Sequence, residues 1–395
     1  MSKPSPQPLD VEKAVRERYS EGAKAPQAAL CCPTSYDPAS LAHIPQEVLD
    51  RDYGCGDPTR HLREGETVLD LGSGSGKHCF MAARVVGPKG RVIGVDANDD
   101  MLALARRNAP LVAEKLGYAN VELRKGRLQD LRLDRAALDG WLREHPVRGE
   151  ADLAALEAQV ESLRRDRPLI EDSSIDVVVS NCVLNLVAPS DKAAMFGEIF
   201  RVLRRGGRAV ISDIVSDEDV PERLQQDPEL WSGCVSGALR EDLFLEAFAD
   251  AGFYGVSIIE RQEGPWQTVE GIELRSLTVA AWKGKEGPCL EGRHAIVYRG
   301  PFRRVEDDDG HVLLRGQRMA VCRKTFAIFS KAPYRDHVEL VPPRVAVPDA
   351  DMTEFPCSKK PLVRSARETK GGEYMDTAKG ADCCAPPDGD GPSCC

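Results

Sequence analysis

Leu69-Asp70-Leu71-Gly72-Ser73-Gly74-Ser75-Gly76-Lys77 (LDLGSGSGK) is the stretch that decides how this chain folds. It closes a β-prone run from Thr67 to Leu71 and opens a helix through Phe80 and Val85. Its glycines let the backbone turn sharply and approach a ligand where a Cβ would collide. Working outward, RVIGVDA (91–97) reads as a second strand and NVELRKG (120–126) as a third, with a helix from Asp99 between them, bent or divided at Pro110. SIDVVVSN (174–181) is a continuous apolar run, as expected of a strand covered on both faces. DKAAMFGEIFRVLRRGG then turns Met195, Phe196, Ile199, Phe200 and Leu203 inward as a helix that stops at Gly206, and RAVISDIV is a fifth strand. The alternation predicts an α/β fold: a mainly parallel, doubly wound, Rossmann-like sheet with helices on both faces.

Residues 1–40 form a lead segment with a short helical stretch over 11–19, and 41–284 hold the sheet domain. Residues 132–168 interrupt the alternation. Leu153, Leu156, Val160 and Leu163 recur there at 3–4–3 spacing, which reads as one amphipathic inserted helix ended by Pro168. Near GKEGP (284–288) the character changes, and HAIVYRG and TFAIFS read as strands of a small α+β module over 285–345. Residues 346–395, rich in Pro, Gly, Asp and Lys and ending CCAPPDGDGPSCC, read as a disordered Cys-rich tail.

The 395 residues carry a net charge of -10. That acidity argues against nucleic acid and anionic membranes as main partners, since both are bound through Lys and Arg. The start, MSKPSPQPLDVEK, lacks the apolar core of a signal peptide, and no apolar run reaches membrane-spanning length. A cytosolic location is expected. Thiols stay reduced there, so 13 cysteines, an odd number, point to metal or redox chemistry more than to a disulfide framework. Four sit in distinctive contexts: Cys31 in ALCCP, Cys55 in YGCGDP, Cys182 in VVVSNCVLNLV and Cys234 in WSGCVSGAL. Cys79, Cys289 and Cys322 read as ordinary core or loop thiols.

The dinucleotide fingerprint spaces its glycines G-x-G-x-x-G. Here the spacing is G-x-G-x-G after Asp70, which resembles the class I S-adenosylmethionine-dependent methyltransferases. By that resemblance Asp70, Gly72, Ser73, Gly74 and Gly76 border the donor's methionine end. Asp96, with a carboxylate able to accept both ribose hydroxyls, and Ala97 face the ribose and adenine. Leu128 of GRLQDL lies near the adenine, and Asn181 closes the donor side.

YGCGDP, VLDLGSGSG, VIGVD, VVVSNCVLNLV, RVLRRGGRAVISDI and LWSGCVSGAL are similar, in order and spacing, to the arsenite methyltransferases, over about 36–342. The resemblance implies Cys31 (or its neighbour Cys32), Cys55, Cys182 and Cys234 as the functional thiols, with Cys55, Cys182 and Cys234 holding arsenic. Cys31 or Cys32 would pair with Cys55 as the electron source, reopened by thioredoxin or glutathione. Soft trivalent arsenic prefers thiolates. Three thiols replace its three hydroxyls, and the remaining lone pair attacks a sulfonium methyl without a general base. His43, His61 and His78 accordingly show no paired pattern. A monomer is expected. Three positions depart from the family pattern: Lys77-His78 for the common Arg-Asp, Gly233 for Glu and Ser236 for Gly. The rival readings are a class I methyltransferase of an organic small molecule and a non-catalytic arsenic-binding homologue. For Cys31 and Cys32 zinc binding, or no role, stays open, and Cys383, Cys384, Cys394 and Cys395 are either arsenic- or zinc-capturing or inessential.

Overall fold

The computed structural model describes residues 9–27, 34–357 and 360–371; Cys31, Cys32 and the four cysteines at the C-terminal end lie outside them. The chain forms two compact units, Met1–Lys285 and Glu286–Cys395.

The first unit is built on nine strands: β1 Thr67–Leu71, β2 Arg91–Asp96, β3 Val121–Lys125, β4 Ile175–Asn181, β5 Leu203–Ser216, β6 Leu239–Arg240, β7 Tyr254–Arg261, β8 Gln267–Val269 and β9 Ile272–Trp282. Their order is β3-β2-β1-β4-β5-β9-β7, with β6 on β5 and β8 on β9. The strands from β3 to β5 run parallel, and β9 and β7 close the sheet antiparallel.

Strand side chains alternate between faces, and both faces here are apolar. Leu69, Leu71, Val178 and Ile211 pack on one side with Met195, Phe196 and Ile199 of the helix Pro189–Val202. Val68, Val177, Val179 and Val210 pack on the other with Phe80 and Met81 of the helix Lys77–Val86. Each fully buried Phe or Met side chain contributes about 1.5–3 kcal/mol. Because β2 and β4 flank β1 on opposite sides, the strand order reverses at β1, and the crevice beyond the carboxyl ends of β1 and β4 is where such sheets bind ligands.

Three expectations change. The helix expected over 151–168 forms as Glu150–Asp166, but the insertion also holds a second helix, Arg135–Glu144, separated from it by Pro146 and Gly149; Leu138 and Leu163 share one buried cluster. The helix Asp99–Leu116 is not divided at Pro110, which lies inside it. In the second unit TFAIFS belongs to the helix Arg323–Phe329, whose first turn is capped by the Cys322 side chain.

That unit contains β10 Leu290–Glu291, β11 Ala295–Tyr298, β12 Arg304–Glu306, β13 Val312–Leu314, β14 Arg318–Ala320, β15 Val338–Val341 and β16 Thr353–Glu354. Its order extends past residue 345, where the composition suggests a tail. β16 pairs with β10, Phe355 is buried, and Arg364 is buried and ion-paired with Glu291. A few specific contacts hold a polar segment that composition alone reads as unstructured.

Candidate functional site

Cys55, Cys182 and Cys234 come from a loop, the end of β4 and the turn after the short helix Pro228–Ser232, and they converge in one buried cluster with Ile214, Val235 and Leu274. Cys55 and Cys182 are joined by a disulfide, and the Cys234 thiol donates to the Cys182 carbonyl at 3.2 Å. Cys182 and Cys234 both adopt left-handed backbone, at φ 57° and 62°. Such conformations cost about 1–3 kcal/mol each in non-glycine residues and persist only where the surroundings impose them.

Asn181 supplies that constraint for the Cys55 loop. Its Oδ1 accepts the Cys55 and Gly56 N–H groups at 2.8 and 3.1 Å, and its Nδ2 donates to the Gly56 carbonyl at 2.6 Å and to His78 Nε2 at 2.8 Å. A Cβ on Gly56 would stand 2.6 Å from Ser212 Oγ, so only glycine lets the loop lie this close to β5. Beneath Cys234, Gly237 approaches so tightly that a Cβ would meet the Asn185 carbonyl oxygen at 1.9 Å.

Two buried charges lie under the cluster. Asp213 accepts from the Leu184 and Ile214 N–H groups, both at 2.8 Å, and burial raises its carboxyl to about 6. Lys192 donates to the Leu184 and Gly237 carbonyls at 3.1 and 3.0 Å, and burial lowers its ammonium to about 8 against the opposing pull of Asp213. A carboxylate inside the apolar run RAVISDIV was a visible sign of a site; Lys192 left none.

A cavity of about 310 Å³ opens at the carboxyl ends of β1 and β2, within the size range of small-molecule sites. Gly72, Gly74, Asp96, Ala97 and Leu128 line it as expected from the sequence. A Cβ on Gly74 meets nothing nearer than the Gly72 carbonyl oxygen at 3.9 Å and would stand in the cavity itself. Asp96 accepts the Gly74 and Asn98 N–H groups at 2.8 Å each, which fixes its carboxylate in the cavity lining. The other expected donor residues lie behind this wall. Asp70 is buried, accepts the Cys79 thiol at 3.1 Å and is raised by burial to about 7. Ser73 is buried with its Oγ unpartnered among the described residues, and Gly76 starts the helix Lys77–Val86. Asn181, expected on the donor side, commits its amide to the Cys55 loop and is absent from the cavity lining.

The helical stretch expected over 11–19 forms as the helix Val11–Lys24, and sequence reasoning missed only its role: it supplies Glu12, Val15, Arg16 and Tyr19 to the cavity. Its signal was the four-residue spacing of Val11, Val15 and Tyr19. Asn98 donates to the Arg16 carbonyl, and Arg18 donates to the Glu229 carbonyl and Ser232, so the helix ties the cavity to the Cys234 turn. Burial first, and then Cys234, raises the Tyr19 hydroxyl. Leu186 lines the cavity and also packs on the cysteine cluster, while Val183 lines it beside Cys182.

The departures have structural partners. Lys77 pairs with the half-buried Asp52 and lies 3.6 Å from the Tyr36 ring centre. Burial opposes ionisation of Asp52, but Lys77 and His78 hold it below its ordinary range, and burial keeps His78 neutral. Ser236 donates to the Leu224 carbonyl at 2.7 Å.

A glycine loop, an acidic strand end and a cavity at this sheet edge define a class I S-adenosylmethionine-dependent methyltransferase. A family described as a methyltransferase domain matches residues 62–167 and 150–252, and a domain of unknown function matches 285–374. The arsenite methyltransferase of Aquipseudomonas alcaligenes is 30% identical over 80% of this chain and 85% of its own. That of Homo sapiens is 31% identical over 82% of each. The crystal structure of an arsenic(III) S-adenosylmethionine methyltransferase from Chlamydomonas reinhardtii superposes with a TM-score of 0.54 at 29% identity, covering 82% of this chain and 99% of that one. The chain belongs to the arsenite methyltransferase family.

Proposed function

We propose that this protein transfers methyl groups from S-adenosylmethionine to trivalent arsenic held by Cys55, Cys182 and Cys234. One observation carries the reading: the thiol cluster and the cavity share a wall, through Leu186 and through Val183 beside Cys182. The donor would lie against Gly72, Gly74, Asp96, Ala97 and Leu128, and when bound it supplies an electrophilic methyl on a sulfonium.

With the disulfide reduced, three thiols condense with arsenous acid. Three As–O bonds and three S–H bonds break, three As–S bonds form, and three waters leave without redox change. The complex is neutral, so no uncompensated charge is buried among Ile214, Val235 and Leu274. Its arsenic lone pair faces away from the sulfurs. The chain's contribution is positional: Asn181 fixes the Cys55 loop, and the imposed left-handed backbone aims Cys182 and Cys234. No proton leaves arsenic, so the neutral His78 is not needed as a base.

Methyl transfer uses the lone pair and leaves arsenic formally pentavalent. Two electrons from a dithiol return it to the trivalent state as a disulfide closes. A closed Cys55–Cys182 bond is the oxidised product of such a step, and a Cys31 or Cys32 exchange would pass the oxidation outward to thioredoxin or glutathione. This cycle suits a monomer in a reducing, cytosolic compartment. No helix of the described residues is long and apolar enough to cross a membrane.

The test is product speciation with arsenite, donor and a thiol. Arsenite-dependent methylarsenicals that disappear in Cys234→Ser, with donor binding retained, support the reading. Donor turnover indifferent to arsenite would overturn it.

A further inference from the structure

The second unit gathers thiols of its own. Cys289 stands just before β10, Cys357 lies beyond β16, and Cys322 caps the helix Arg323–Phe329. Pairing of β10 with β16 joins the first two, and the Phe355 N–H donates to the Cys289 carbonyl at 2.8 Å. Buried Arg364 braces this frame: it donates twice to Glu291, at 2.9 and 2.8 Å, and to the His294 carbonyl at 3.0 Å. The His294 carbonyl also accepts the Val321 N–H, beside Cys322.

The three sulfurs all lie within 4.8 Å of one another, and none is in a disulfide. No fourth His, Cys, Asp or Glu side chain among the described residues joins them at that mutual distance. Packing accounts for a single buried cysteine. It does not account for three from separate segments, one of them, Cys357, exposed. Lys324 donates to the Gly287 carbonyl at 3.2 Å, two residues before Cys289.

We propose that Cys289, Cys322 and Cys357 are a second arsenic-binding site, distinct from the methyl-transfer cluster and taking arsenous acid as a trithiolate. Three S–H and three As–O bonds exchange for three As–S bonds and three waters, with no oxidant or reductant. The ligand count selects the element. Structural zinc sites are almost always four-coordinate, and three thiols leave zinc incomplete, whereas trivalent arsenic is complete with three. Exposure of Cys357 provides the entry.

Site-resolved alkylation of the reduced full-length chain, read by peptide mass spectrometry, tests this. Cys234 reports the catalytic set, and buried Cys79 serves as a bystander. At arsenite about ten times its dissociation constant, labelling of Cys289 and Cys357 falls about tenfold, because only the free fraction reacts. In Cys322→Ser the protection is lost; Cys357→Ser, at an exposed position, removes protection of Cys289 even if the first variant folds poorly. Unchanged labelling of Cys289 and Cys357 while Cys234 is protected overturns this site alone. Loss of protection at Cys234 as well overturns both this site and the proposed function. Stoichiometric zinc in the purified protein that arsenite does not displace, and that Cys357→Ser loses, overturns the arsenic assignment.

Discussion

Asn181→Ala separates the structural account of the site from the sequence reading most sharply. The side chain is 8% exposed, and all four of its hydrogen-bonding positions are used, by Cys55, Gly56 twice and His78. At about 1 kcal/mol net per bond, its removal costs up to about 4 kcal/mol, and water entering the hole lowers this to about 2–3 kcal/mol. The Cys55 loop then loses its anchor on β4, so the third sulfur no longer sits fixed over the arsenic site. Urea unfolding of the reduced protein measures the stability loss. Calorimetry measures donor binding, and methylarsenical production measures activity. The expected result is a clear drop in stability and at least about a tenfold loss of turnover, the equivalent of 1.4 kcal/mol of misplacement, with donor affinity unchanged. A stability loss under about 1 kcal/mol together with weakened donor binding would refute the reasoning and return Asn181 to the donor side.

Three further outcomes follow from the same geometry. Gly237→Ala forces a Cβ to within 1.9 Å of the Asn185 carbonyl oxygen; it should cost at least about 1–3 kcal/mol and abolish arsenite-dependent turnover, and an unchanged melting temperature would contradict the packing. Tyr19→Phe keeps the ring against Tyr53 but removes the hydroxyl whose ionisation Cys234 opposes; stability should change by about 1 kcal/mol or less, with turnover reduced severalfold and donor affinity retained. Asp213, raised to about 6, holds its proton more tightly folded than unfolded. Its contribution is therefore complete below about pH 4 and lost as pH rises through 6. The stability of the wild type minus that of Asp213→Asn should fall across this window by about 2–3 kcal/mol, and a flat difference would remove the buried carboxyl from the account.

Most of the sheet was legible because β1, β2 and β4 are buried on both faces and read as unbroken apolar runs, while the glycine loop marks where the strand order reverses. The three thiol contexts were legible as motifs, and the fold brings them together. What escaped was set by contacts between distant segments. The helix Val11–Lys24 becomes a cavity wall only through Asn98, Arg18 and Tyr53. The bond between Cys55 and Cys182 depends on how Asn181 lays one loop over β4, which spacing cannot encode. The inserted helix over 151–168 was legible from its periodicity, whereas the separate helix Arg135–Glu144, set off by Pro146 and Gly149, was not. Cys289 and Cys322 looked ordinary one at a time, and only the fold of the second unit sets them beside Cys357.

Anomalous scattering at the arsenic edge, from crystals of the reduced protein soaked with arsenite, addresses the catalytic geometry without relying on turnover. The account predicts a peak among the Cys55, Cys182 and Cys234 sulfurs, facing the cavity bounded by Gly72 and Asp96. Occupancy elsewhere in the molecule, with those three sulfurs reduced and bare, would contradict it.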